Sequence, residues 1–435
     1  MAASAIEAFL QQLNPAVIRP GLDRIRRLLE ALDHPEERLQ AVTIAGTNGK
    51  GSVAACLSSI LGASGSRVAT YTSPHLRHLS ERIAINGNLI TQVDLARHFE
   101  RVKDAFEKVG EVTYFEFVTA LALDYFRDAD PDWAVLEVGL GGRWDAVNSV
   151  EPQLCVLTPI GLDHTDLLGS TLDAVAKEKA GIVRPGRSVV CGRQPRSALR
   201  VVETVCHEHR APLSVLGSAF RVQRGATMDE GQLFTYMDAG LKLEDLHLPL
   251  LGAYQADNAA CAVRAYRLLC KEGRLAWSEE AVRDGLSKVR LEGRLQVLNR
   301  EPLVVVDGAH NEMAALALAE EVQSLWSNRP LTLVFGVLED KDYLRMAKAL
   351  FPLASRVVLV PVSSFPERSA DPHDVATRTV GQARDLMVAP DLHTALKASL
   401  AELPNEGLCL IAGSLYLAGE AIALFKETSL ALLER

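Results

Sequence analysis

Ala41-Val42-Thr43-Ile44-Ala45-Gly46-Thr47-Asn48-Gly49-Lys50-Gly51-Ser52-Val53 decides how this chain folds. The apolar, β-branched run up to Ile44 reads as a strand, the glycines as a turn, and the run from Val53 to Leu61 as a helix. A strand that turns through glycines into a helix outlines a nucleotide phosphate site: backbone N–H groups close around the phosphates, and the helix N-terminus adds partial positive charge. Lys50 can reach the terminal phosphates and Ser52 can hold a magnesium ion. ATP is therefore the expected cofactor, cradled by Gly46, Thr47, Asn48, Gly49, Lys50, Gly51 and Ser52. A purely structural glycine turn is the alternative, and the lysine and serine together speak against it. The loop departs from the common P-loop pattern, because Ile44 stands where that pattern has its first glycine and Gly51 where it has Ser or Thr.

Working outward, short apolar runs recur at Val68–Tyr71, Trp133–Val138, Leu154–Pro159 and Ser188–Cys191, each followed by polar or helical segments. This alternation predicts a mostly parallel sheet with helices on its faces. Between them, Arg82–Ile90 alternates around Asn86-Gly87, a hairpin signal. A second series (Leu303–Val306, Leu331–Phe335, Arg356–Val360, Leu408–Ile411) predicts a smaller, doubly wound domain. The expected fold is α/β: a large P-loop domain with a mostly parallel sheet over 1–291, a hinge at 292–296, and a Rossmann-like domain over 297–435. At 435 residues the chain suits two or three domains.

The net charge of −9 argues against a general nucleic-acid or anionic-membrane surface, so neither partner is expected. Seven dispersed cysteines form no CxxC pair and read as reduced core thiols, which points to the cytoplasm. The first twenty residues lack a leader pattern. The most membrane-like run, Leu408–Phe425, is interrupted by Gly413, Gly419 and Glu420, and reads as a buried strand followed by a helix.

In an open parallel sheet, ligands gather beyond the carboxyl ends of the strands. Glu137 closes one apolar run just before Val138-Gly139-Leu140-Gly141-Gly142, and could hold magnesium or be an exposed strand-end acid. His164 follows another run in Gly161-Leu162-Asp163-His164, although a lone histidine is more often structural. Lys177 and Lys179 read first as a solvated helix face. Asp307 and His310, in Asp307-Gly308-Ala309-His310-Asn311, could meet a ribose or position a phosphate, with an Asp turn and a capping Asn311 as the alternative. Cys206-His207-Glu208-His209 is set aside as a metal site, because its histidines would not share a helical face and no second cluster is evident.

Together these motifs resemble the folylpolyglutamate synthase family of the Mur ligase superfamily, in its bacterial bifunctional dihydrofolate synthase form. The resemblance covers nearly the whole chain. It runs through Gly46–Ser52, Ser73-Pro74-His75-Leu76, Glu81-Arg82-Ile83 with Ile85-Asn86-Gly87, Thr113–Glu116, Glu137–Gly142 with Asp145, and His164 to Lys179. It continues through Gln255 and Asn258, Gly293-Arg294, Asp307–Asn311, Gly336 with Asp340-Lys341-Asp342, and Gly413–Tyr416.

The resemblance implies an ATP-dependent carboxylate–amine ligase that adds L-glutamate to dihydropteroate and to reduced folates, with Lys50 as the phosphate lysine. It further implies that Ser52, Glu137, His164 and a carbamylated Lys179 serve two magnesium ions, with a monovalent cation beside them. Asn258, Arg294, Asp307 and His310 would meet the nucleotide, and Thr113, Phe115 and Asp145 would form a pterin pocket. The small domain is expected to close over the cleft near Gly293, and a monomer is expected. Tyr254 stands where many relatives have histidine, and Glu292 where many have proline. The rivals are a cell-wall Mur ligase, whose usual domain before the loop exceeds the 45 residues ahead of Gly46, and a nucleotide-dependent switch.

Overall fold

The run before the glycines forms strand β1 (Ala41–Ala45), every residue of which is buried. Helix Lys50–Ala63 follows from the turn. Its buried residues, among them Val53, Cys56, Leu57, Ile60 and Leu61, lie on more than one side, so it is sandwiched rather than laid on the surface. In the computed structural model, which describes residues 3–14 and 17–427, the chain divides into two units. The first comprises Met1–Pro249 and Gln255–Val289, the second Leu250–Tyr254 and Arg290–Arg435.

The first unit carries an eight-stranded sheet. With β1 it contains β2 (Val68–Tyr71), β3 (Ile83–Ile85), β4 (Asn88–Leu89), β5 (Trp133–Glu137), β6 (Pro152–Leu157), β7 (Ser188–Cys191) and β8 (Leu213–Val215). The order is β4-β3-β2-β5-β1-β6-β7-β8, parallel apart from the antiparallel pairs β2–β3 and β3–β4. Strands of a parallel sheet are covered on both faces, and this is why they read as unbroken apolar runs. The hairpin forms at Asn86 and Gly87, whose φ values of 50° and 74° suit the tight turn their side chains allow.

β1 is central, and its register decides what meets the glycine turn. Ile44 pairs with Glu137 on one side, Ala45 with Leu157 on the other, and Tyr71 with Leu136 one strand further out. The carboxyl ends of β2, β1, β5 and β6 therefore line up, and each gives onto a segment singled out in the sequence.

A separate three-stranded antiparallel sheet, β9 (Phe220–Met228), β10 (Gly231–Asp238) and β11 (Leu241–Leu248), was not anticipated. Beyond Phe220, β9 is mostly exposed, so it lacks the apolar run used to recognise strands. Turn signals were nevertheless present in Asp229-Glu230-Gly231 and Asp238-Ala239-Gly240. Asp238 ties this sheet to helix Ala253–Lys271: its Oδ2 accepts from Arg264 Nη1 at 2.9 Å, Arg267 Nε at 2.6 Å and the Tyr236 hydroxyl at 3.0 Å.

The second unit holds a six-stranded sheet built from β12 (Gln296–Arg300), β13 (Leu303–Val306), β14 (Leu331–Phe335), β15 (Arg356–Leu359), β16 (Leu386–Val388) and β17 (Leu408–Ala412). The order is β12-β13-β17-β14-β15-β16, with only β12 antiparallel. Val305, Leu333, Phe335, Met346 and Leu410 lie in its core. The Leu408–Phe425 run resolves into β17 and helix Leu415–Glu427. No helix among the described residues is long and apolar enough to cross a membrane. All seven cysteines are free thiols, buried except for the half-buried Cys270.

Candidate active site

Gly46 turns β1 toward β6. Its φ is 147°, and a Cβ there would lie 1.9 Å from Thr158 Oγ1. The amides of Thr47 and Asn48 donate to the Pro159 carbonyl at 2.9 and 3.4 Å, and Thr47 Oγ1 exchanges hydrogen bonds with Gly161 O and N, both at 3.0 Å. Gly49 leaves equally little room, since a Cβ would meet Asn258 Oδ1 at 2.5 Å. Asn258 donates in turn to Gln255 Oε1 at 3.1 Å. Lys50 opens the helix, and its Nζ donates to the carbonyls of Gly46 and Thr47, both at 3.2 Å. Ser52 is buried in the first turn.

The solvated-face reading fails for Lys179. Lys177 is exposed, but Lys179 is buried, and its Nζ donates to the same Gly46 carbonyl that Lys50 uses, at 2.9 Å. What the ammonium meets is remote in sequence, and so is the neighbour of its backbone: a Cβ on Gly142 would stand 2.8 Å from the Lys179 carbonyl. Burial first, and the charge of Lys50 second, pull the Lys179 ammonium down to about 7.

Glu137 is not an exposed strand-end acid. It is 4% exposed, its Oε2 accepts from Ser73 N at 3.1 Å, and a Cβ on Gly51 would come within 3.5 Å of that oxygen. His164 lies in the left-handed region (φ 50°) at the start of a short helix, with Asp163 Oδ1 accepting from its backbone N at 2.9 Å. Asp145 is buried. Its Oδ2 accepts from Leu140 N and its Oδ1 from Val147 N, each at 2.9 Å. Burial raises its carboxyl to about 6. The Phe115 ring covers Gly139, where a Cβ would lie 2.5 Å from Cζ. Thr113 caps helix Tyr114–Ala129, with its Oγ1 accepting from Glu116 N and Glu116 reaching back to the Thr113 amide. Its hydroxyl oxygen is thus already engaged in a capping box.

The family resemblance includes the segment from Ser73 to Arg82 but gives it no role, yet it closes this side of the site. Beyond the Ser73–Glu137 contact, Arg82 Nε donates to His75 Nδ1 at 3.0 Å. The one local signal was the position of Ser73 just past β2; Arg82, next to Glu81, carries none.

In the second unit, Asp307 follows β13. Its carboxylate accepts from Leu295 N and Ala309 N, both at 2.8 Å, and burial raises its pKa, partly offset by Arg294. Arg294 Nη1 would lie 2.4 Å from a Cβ on Gly308, so glycine there admits the guanidinium. His310 Nδ1 lies 2.9 Å from Gly308 O. Asn311 caps helix Glu312–Trp326 through Ala314 N, so the capping alternative holds for Asn311, next to the Asp307 turn.

Set against known proteins, residues 44–266 match the Mur ligase middle domain and residues 293–415 the Mur ligase glutamate ligase domain. The chain is 34% identical over 409 residues to a dihydrofolate synthase/folylpolyglutamate synthase of Bacillus subtilis, covering 92% of this chain and 93% of that protein. It is 37% identical over 401 residues to a folylpolyglutamate synthase of Lacticaseibacillus casei, covering 91% and 92%. Its fold matches E. coli FolC in complex with DHPP and ADP with a TM-score of 0.89, at 31% identity and 98% coverage of both chains.

Proposed function

Because the chain belongs to the dihydrofolate synthase/folylpolyglutamate synthase family of Mur ligases, we propose that it is an ATP-dependent ligase that joins L-glutamate to dihydropteroate and to reduced folates. The observation that carries this reading is the alignment of the ends of β1, β2, β5 and β6, which gathers a glycine phosphate loop, Lys50, Lys179 and Glu137.

A carboxylate does not acylate an amine unaided, since oxide is a poor leaving group. The acceptor carboxylate therefore attacks the γ-phosphate of ATP, giving ADP and an acyl phosphate, and the amine of L-glutamate then displaces phosphate to leave an amide. The loop Gly46-Thr47-Asn48-Gly49-Lys50-Gly51-Ser52 would cradle the phosphates, with the amides of Gly49, Gly51 and Ser52 as donors while those of Thr47 and Asn48 hold the loop to the Pro159 carbonyl, and Lys50 would face the charge that develops on the transferring group. We assign nucleotide contacts to Asn258, and in the second unit to Arg294, Asp307 and His310. Acceptor contacts fall to Phe115, Asp145 and Thr113. Thr113 could offer its hydroxyl proton, because its oxygen serves the helix cap.

The donors also fit magnesium. Ser52 and Glu137 are hard oxygen ligands, and a buried carboxylate beside a phosphate loop is suited to a divalent cation. His164 and Lys179 would complete the set for a second ion, with a monovalent cation nearby. Bound magnesium would neutralise charge on the phosphates. An amine titrating near 7 is largely neutral at physiological pH, the form able to add carbon dioxide, and this supports carbamylation of Lys179. Buried free thiols accord with the cytoplasm, and we take the working form to be a monomer.

The purified protein should release ADP with magnesium-ATP and L-glutamate when given either dihydropteroate or tetrahydrofolate. Turnover with tetrahydrofolate alone would leave only the chain-extending activity, the one named for the L. casei relative. Turnover with neither would refute the reading.

A further inference from the structure

Arg82 is 6% exposed, and among the described residues no carboxylate pairs with it. Its Nε donates to His75 Nδ1 at 3.0 Å, and its guanidinium stands 5.6 Å from the centre of the Tyr114 ring. His75 brings no counter-charge, since burial and the adjoining guanidinium hold its ring down at about 3, well within the neutral range. The neighbouring acid, Glu81, is engaged elsewhere: its oxygens accept from Leu76 N at 2.8 Å and from Arg77 N and Nε, both at 3.3 Å. Nη1 and Nη2 of Arg82 make no hydrogen bond to the described protein, and neither is among its fully enclosed polar atoms.

A guanidinium this buried, without an anion, is costly unless something charged completes it. Its free edge is a planar pair of donors with the spacing of a carboxylate. The surroundings belong to the acceptor side of the site. Tyr114 adjoins Phe115, Phe115 packs 6.1 Å from Tyr71, and the Ser73 end of the same segment holds Glu137.

We propose that Arg82 recognises a carboxylate of the acceptor that does not react, namely the α-carboxylate of its terminal glutamyl unit. This rests on the ligase reading above. The reacting carboxylate must present itself to the phosphate loop, where Lys50 is placed to meet it. A bidentate arginine on that same carboxylate would occupy the oxygens needed for attack. Arg82 makes its contacts with His75, Tyr114 and the backbone of Thr72, which suits a carboxylate carried further along the acceptor. Tetrahydrofolate has such a group and dihydropteroate has none, so Arg82 sorts the two acceptors.

The test uses the whole protein with magnesium-ATP and L-glutamate. R82Q should raise KM for tetrahydrofolate about ten- to a hundredfold and leave KM for dihydropteroate within about twofold, with R82K recovering part of the loss. Equal losses on both acceptors, or no loss on either, would overturn the proposal. A second measurement needs no variant. The wild-type protein should bind a tetrahydrofolate α-carboxamide about ten- to a hundredfold more weakly than tetrahydrofolate itself. Equal binding of acid and amide overturns the proposal even if R82Q fails to fold. Failure of the ligase reading is seen separately, as wild-type protein that releases ADP with neither acceptor.

Discussion

Gly46 meets two demands that no other residue satisfies: a φ of 147° and a Cα that faces Thr158 Oγ1 at a distance where a methyl group would overlap it. G46A should cost about 3 kcal/mol or more of stability, from overpacking added to a strained backbone, and nucleotide binding should fall with it. Urea unfolding and an ATP titration check this, and a G46A protein with unchanged stability and affinity would contradict the geometry. Lys179 allows a second test. Its ammonium titrates at about 7 when folded, against 10.5 for a free lysine side chain. Between these values the unfolded chain binds a proton that the folded chain does not, so stability rises with pH across the window, while below it the cost of the buried charge is fully present. K179M should therefore gain on wild type as pH falls, by on the order of a few kcal/mol between about pH 9.5 and 6, read from urea midpoints in carbonate-free buffer. A stability difference flat in pH would mean that Lys179 is not buried as a free amine.

Among elements, the small sheet β9–β11 depends on one acid. Asp238 has no exposed side-chain surface, and the guanidinium groups of Arg264 and Arg267 that it holds are 12% and 15% exposed. D238A should cost about 3–5 kcal/mol, because it strands two largely buried cations, and a urea titration giving a loss below about 1 kcal/mol would show that water replaces the carboxylate. This sheet also marks the limit of what the sequence reveals. β1 and the Asn86-Gly87 hairpin were legible because full burial and tight turns leave strong local signatures. β9 exposes most of its residues and carries no such signature, and β12 is a half-buried antiparallel return on the edge of its sheet. Lys179 was legible through the family resemblance and not from its own surroundings. Nothing local distinguishes it from Lys177, and the carbonyl that its ammonium meets belongs to Gly46, far away along the chain. Arg82 was visible only as a member of a family motif and Ser73 otherwise only by its place just past β2, because what sets them apart is a missing counter-charge in one case and a neighbour, Glu137, more than sixty residues away in the other.

For the molecule as a whole, the site residues of the first unit come from segments spread between Gly46 and Asn258, so folding of that unit and formation of the site are one event. Nucleotide that binds only the folded form should then stabilise the protein by about 2.7 kcal/mol at a hundredfold excess over its Kd. Thermal unfolding with and without magnesium-ATP measures this, and an unmoved transition would place the nucleotide elsewhere or nowhere. The register that pairs Ile44 with Glu137 has a further consequence. Because side chains alternate along a strand, the site has something like a reading frame. Deleting one residue inside β5 would turn Glu137 to the opposite face and shift Val138 and the glycines after it by one place, so an in-frame codon loss there would do more harm than replacing Glu137 itself. The same loss in the turn between β9 and β10 would shorten a hairpin and leave every residue of the phosphate loop where it was.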